Sequence, residues 1–221
     1  MILWCCWLFS GVTLFVFPVV ALLHCCLLAA LVQSAPVSSP SNPSQTFKEA
    51  VERVMRLVEK IRKDVRSVHG SIINIDGFTL DPSSQTGELE MKRINLGIPD
   101  PPVLKELSEQ FTADMCVSRM LAGGRLYQGL LVDLSRRLGG LEALSAELRD
   151  LVTHINQMKD AAQLSSDSLD QSSLDLTLNL HGNYDVQVAA HLTLCQLLEF
   201  CHDLIRSLRN MAETQMARGT R

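Results

Sequence analysis

Glu199-Phe200-Cys201-His202 forms a Glu-x-x-His, the spacing that sets a carboxylate and an imidazole on one helix face in di-iron bundles. Such a centre needs a second copy of the motif and two further inward glutamates, and the sequence holds no second Glu-x-x-His. His191 and Cys195 are four apart, so a helix would place them on one face. The reading they favour is a buried small thiol beside a hydrogen-bonded histidine, not a zinc pair. Cys116 and Cys201 also fall on apolar stripes, where burial rather than activation of the thiol is expected. There is no G-x-S-x-G, no glycine-rich phosphate loop and no H-E-x-x-H, and Asp64, His69 and the serines of 163–183 form no catalytic constellation. The expectation is a protein that is not an enzyme and takes no metal or cofactor.

The elements that position these groups follow from composition. Of 221 residues, 47% are hydrophobic, and no charged residue precedes Lys48. The net charge of −4 supplies no basic surplus for phosphate backbones, so no nucleic-acid partner is expected. Aromatics are only 5%, poor material for a β-sandwich or barrel. Leucine-rich periodic segments argue against disorder. Residues 1–34 read as an apolar signal peptide cut after Ser34, with an uncleaved anchor as the weaker alternative. The mature chain, 35–221, would be secreted, without a membrane partner, and would begin with a flexible segment, 35–45. It keeps Cys116, Cys195 and Cys201, an odd number that permits at most one internal disulfide.

Four helices are expected over residues 46–217. The first starts at a capping box, Thr46-Phe47-Lys48-Glu49, with Glu49 reaching back. Its stripe is Phe47, Val51, Val54, Val58, Ile61, Val65 and Val68, and Gly70 is a suitable stop. Residues 71–102 carry turn signals and read as a long connection. A second helix begins near Val103, with Leu104, Leu107, Phe111, Cys116, Leu121, Leu126, Leu130 and Leu134 inward. Gly123-Gly124 interrupts it, which implies a kink or a close helix crossing. After Gly139-Gly140 a third stripe runs Leu141, Leu144, Leu148, Leu151, Ile155 and Met158. Polar residues 163–183 precede the fourth, with Val188, Leu192, Cys195, Leu198, Cys201, Ile205 and Leu208, and the tail at 218–221 should fray.

Connection lengths set the expected topology. A helix of about 24 residues is roughly 36 Å long, and a parallel neighbour needs a connection of roughly 11 extended residues. Long, short, long therefore implies an all-α, up-up-down-down four-helix bundle with two long crossover loops. Binding would then use exposed helix faces. Glu49 and Glu52 lie beside the first stripe and Glu147 and Asp150 beside the third, while Tyr184 is an aromatic at the start of the fourth helix.

Residues 116–131, CVSRMLAGGRLYQGLL, resemble the signature of the interleukin-6 and granulocyte colony-stimulating factor family. Cys116, Gly123, Tyr127 and Leu131 occupy its second cysteine, glycine, aromatic and leucine positions. Gly124 stands where that pattern has leucine, and Glu106 where it has its first cysteine, so the family disulfide cannot form. Leu126–Leu131, Leu96-Gly97-Ile98-Pro99 and Val188-Ala189-Ala190-His191-Leu192 look like the branch holding granulocyte colony-stimulating factor and myelomonocytic growth factor. The resemblance implies a secreted ligand that clusters a class I cytokine receptor and drives granulocyte and macrophage precursors through Janus kinases. It implies one contact surface with Glu52 on the first helix and Glu147 or Asp150 on the third, and a second with Tyr184. The alternatives are an interleukin-6-like cytokine with another receptor and a lipid-binding amphipathic helical bundle.

Overall fold

The computed structural model describes residues 43–81, 87–165 and 180–219, all within a compact unit that begins at Asn42. The expected signal peptide and residues 35–42 of the expected flexible segment lie outside the described residues, as do 82–86 and most of the last connection, while 43–45 are helical rather than flexible. The described residues are all-helical, with no strand among them. The five helices are α1 (Pro43–Ile72), α2 (Gly87–Leu96), α3 (Ala113–Ser135), α4 (Glu142–Ala161) and α5 (Asn183–Gly219).

α1 starts three residues before Thr46, with Pro43 in the first turn, where a missing N–H costs nothing. Thr46 is therefore inside the helix, and Glu49 accepts a hydrogen bond from Gln45 Nε2 at 3.3 Å rather than serving the expected capping box. Gly70 does not stop α1, which runs on to Ile72. From Phe47 to Val65 its stripe is buried, and α1 packs on both α4 and α5.

α2 falls inside the expected first connection. Leu96 is buried, and Gly97 at φ 73° ends the helix as Gly97 N donates to Ile94 O and Ile98 N to Arg93 O. Only glycine takes that left-handed position without penalty. Arg93 then fastens this end: it bonds to Glu90, to Asp100 and to the carbonyl of Ile98.

The third element, α3, begins at Ala113, about ten residues later than the sequence pattern implies. Leu104 and Phe111 are buried as expected, but from an irregular segment. The reason is local: Ser108 Oγ accepts from Phe111 N while Ser108 N donates to Phe111 O, closing a turn that competes with helix. Thr112 then caps α3, its hydroxyl accepting from Met115 N.

A short connection through Gly139-Gly140 leads into α4, whose inward residues Leu144, Leu148, Leu151, Ile155 and Met158 are all buried. α4 ends with Gln163 at φ 53°, where Gln163 N donates to Asp160 O and Leu164 N to Lys159 O. The last helix, α5, continues to Gly219, beyond the expected boundary at 217, and residues 220 and 221 lie outside the described residues. From Val186 to Cys195 every residue of α5 is buried. An amphipathic stripe would leave one flank open, and here α2 and the segment after α1 add cover to α1 and α3.

Candidate functional site

The four signature residues on α3 all face the core. The ring of Tyr127 lies 5.3 Å from that of Phe200 on α5, and burial raises its phenol pKa. A Cβ built at Gly123 would stand 2.2 Å from Phe200 Cζ, and one at Gly124 would stand 2.9 Å from Val152 Cγ2 on α4. The glycine pair is thus a close crossing on two sides, one toward α5 and one toward α4. Cys116 is buried and its thiol is pushed up to about 11, with a hydrogen bond involving Ser207 acting weakly in the other direction. None of Cys116, Cys195 and Cys201 forms a disulfide. These residues hold helices together and touch no outer surface.

The expected first surface spans α1 and α4, and its acids differ in what they can do. Glu49 and Asp150 are exposed. Glu52 is half exposed and stands 3.9 Å from Arg56 on its own helix. Glu147 has only 17% of its side chain exposed, and the ammonium of Lys60 on α1 bonds to it and also to Asp64. The hydrogen bond that Lys60 donates to Glu147, with the one it donates to Asp64, holds its ammonium above its ordinary pKa. Glu147 is therefore a clamp between α1 and α4, while Glu49, Glu52 and Asp150 are the more exposed acids of these two helices named from the sequence. A second bond, Arg53 Nη1 to Gln157 Oε1 at 3.4 Å, ties the same two helices about two to three turns away.

Tyr184 is 51% exposed at the start of α5, with the Lys92 ammonium of α2 at 5.4 Å from its ring centroid. Met91 and Ile94, one turn apart on α2, are also exposed. This apolar face was missed in the sequence because α2 itself was read as part of a connection. Its signals were Gly97 as a helix stop and the Glu90–Arg93 pair.

Glu199 and His202 lie exposed on the outside of α5 rather than inward, as a bundle metal site requires. His202 instead borders a groove of about 470 Å³ with Glu59, Arg62, Arg206, Arg209 and Glu213, where both signs of charge mix. His191 and Cys195 are buried, with Sγ 3.7 Å from Nδ1. The residue spacing did not reveal His69: its Nε2 lies 2.9 Å from His191 Nδ1 across 122 positions of chain.

Fold and geometry together define a helical bundle with exposed acids on α1 and α4 and an exposed tyrosine at the start of α5; no cluster of three or more metal-ligating side chains is assembled among the described residues. No protein-family model and no curated protein matches this chain.

Proposed function

We propose that this protein is a secreted haematopoietic cytokine, similar to the granulocyte colony-stimulating factor branch, that clusters a class I cytokine receptor. The observation that carries the reading is the direction of four sets of cross-helix pairs. Between α1 and α4, Lys60 meets Glu147 while the earlier Arg53 meets the later Gln157. Between α1 and α5, His69 meets His191 while the later Ile72 carbonyl accepts from the earlier Gln187. On α3, Gly123 faces Phe200 of α5 and the later Arg137 reaches back to the Leu180 carbonyl before α5. Towards α4, the earlier Asp114 accepts from Ser165 while the later Gly124 faces Val152. Each set supports an antiparallel pair, so α1 and α3 share one direction and α4 and α5 the other. Those directions support an up-up-down-down course, the arrangement of cytokine bundles.

Two surfaces follow. Glu49, Glu52 and Asp150 supply acidic groups on α1 and α4. Tyr184 lies beyond the far end of α1, because Gln187 sits at Ile72. Glu49 and Glu52 lie 23 and 20 residues before Ile72, roughly 35 and 30 Å of helix from the Tyr184 end. A rigid bundle with two separated patches can hold two receptor chains at once, and their associated kinases then act on one another.

The test is receptor phosphorylation in reporter cells that carry the granulocyte colony-stimulating factor receptor, set against parental cells without it. A saturable response to purified residues 35–221 supports the reading. A folded, helical sample that is silent there and binds liposomes contradicts it.

A further inference from the structure

The end of α1 meets α5 through a pair of histidines. His69 there is 7% exposed and His191 on α5 is fully buried, and their 2.9 Å contact joins Nε2 of the first to Nδ1 of the second. Phe78, from the segment after α1, stacks on the His191 ring with centroids 4.5 Å apart. Two further bonds complete the junction: Gln187 Oε1 accepts from Asn74 N, and Gln187 Nε2 donates to the Ile72 carbonyl. The end of α1, the Phe78 segment and the first turns of α5 are thus fastened around two imidazoles.

We propose that the His69–His191 pair is an acid-sensitive clasp that frees the end of α1 and the Phe78 segment from α5 as pH falls. One nitrogen of the contact must donate and the other accept, which two neutral rings do by choice of tautomer. A single proton leaves the bond possible. A second puts N–H groups on both facing atoms and two like charges in a dry site, so the contact cannot survive it.

The surroundings offer no relief. Burial lowers the pKa of His69, and burial together with the neighbouring His69 pushes His191 down to about 4. No carboxylate of the described elements packed there adds a compensating charge, and Cys195, the other titratable group at the pair, is a buried thiol. The sign follows from linkage. Both rings are neutral when folded, while free histidine has a pKa near 6.5, so the open form binds more protons. The clasp is intact above about pH 6.5 and weakens as pH falls from there toward 4. For His191 alone the limit is tenfold per pH unit, roughly 300-fold over that window. Tyr184 lies seven residues before His191, so opening also loosens the second proposed surface; that consequence alone rests on the receptor reading.

Hydrogen exchange of the purified chain at several pH values, corrected for intrinsic exchange rates, reads the clasp without any receptor. Protection of segments 66–80 and 184–195 should fall by about tenfold or more from pH 6.5 to 5, while 144–158 of α4 changes little. His69→Gln and His191→Gln, which each remove one charge, should flatten that fall, and His154→Gln on the outer face of α4 should not. Where a clasp variant fails to fold, histidine ring titration of the wild-type protein decides instead. Uniform loosening of all helices, an unchanged fall in both clasp variants, or ring pKa values of 6.5 for both histidines would overturn the proposal.

Discussion

The ring of Phe200 lies against the bare Cα of Gly123, so close that a single added carbon would stand 2.2 Å from Phe200 Cζ. Phe200 is 2% exposed and also meets the Tyr127 ring, so it has little room to swing aside. Gly123→Ala should therefore destabilise the bundle by about 1–3 kcal/mol, although alanine is the better helix former. Urea unfolding followed by circular dichroism measures this. Adding Phe200→Leu should recover part of the loss, and a Gly123→Ala variant as stable as wild type would mean the helices are further apart.

Glu147 provides a second contrast. Because Lys60 clamps it between α1 and α4, charge reversal there perturbs the bundle as well as its surface. Lys60→Ala and Glu147→Ala in a double-mutant cycle should couple by about 0.5–1 kcal/mol, a modest value because Lys60 is largely exposed. Asp150→Ala should leave the unfolding midpoint within experimental error. Equal losses at 147 and 150 would show that the clamp has no energetic standing.

Gln163 holds a left-handed backbone at the end of α4. Both hydrogen bonds of the turn are made, so the strain belongs to the residue and not to the turn. Gln163→Gly should raise stability by about 0.5 kcal/mol, after allowance for the greater freedom of glycine in the unfolded chain. A thermal melt would register a small increase, and a fall in Tm would count against the strained conformation.

The thiols should be quiet. Burial pushes Cys116 up to about 11 and Cys201 up to about 12, so at pH 8 almost no thiolate exists at either site. Labelling with a disulfide reagent should proceed at the rate of unfolding and reach both residues fully in denaturant. Rapid labelling of either in the folded protein would mean that its helix opens locally.

These expectations show where sequence pattern carries structural information. Every residue of the α4 stripe and every one named on α5 is buried, because apolar spacing of three and four admits one orientation of a packed helix. The same spacing misled at Leu104, Leu107 and Phe111. They are inward-facing but irregular, since a serine turn and a threonine cap move the helix start to Ala113. α2 gives no clear stripe because four of its ten residues are charged and Leu96 is its one buried side chain. Glu147 looked like a free acid because its partner lies 87 residues away. The His69–His191 contact was hidden for the same reason, since no local pattern encodes a pairing between distant helices.

The receptor reading requires two separated patches, and the receptor assay with surface variants tests it most directly. Purified residues 35–221 would be titrated on cells bearing the granulocyte colony-stimulating factor receptor, with receptor tyrosine phosphorylation as readout. Glu52→Lys and Tyr184→Ala would be run beside wild type, each first shown to keep its helical circular dichroism. The expected result is a saturable wild-type response, displaced by about tenfold or more in concentration by either variant, since one such contact is worth roughly 1–2 kcal/mol. No response from any folded sample, or a wild-type response that neither variant alters, would contradict the two-surface cytokine account.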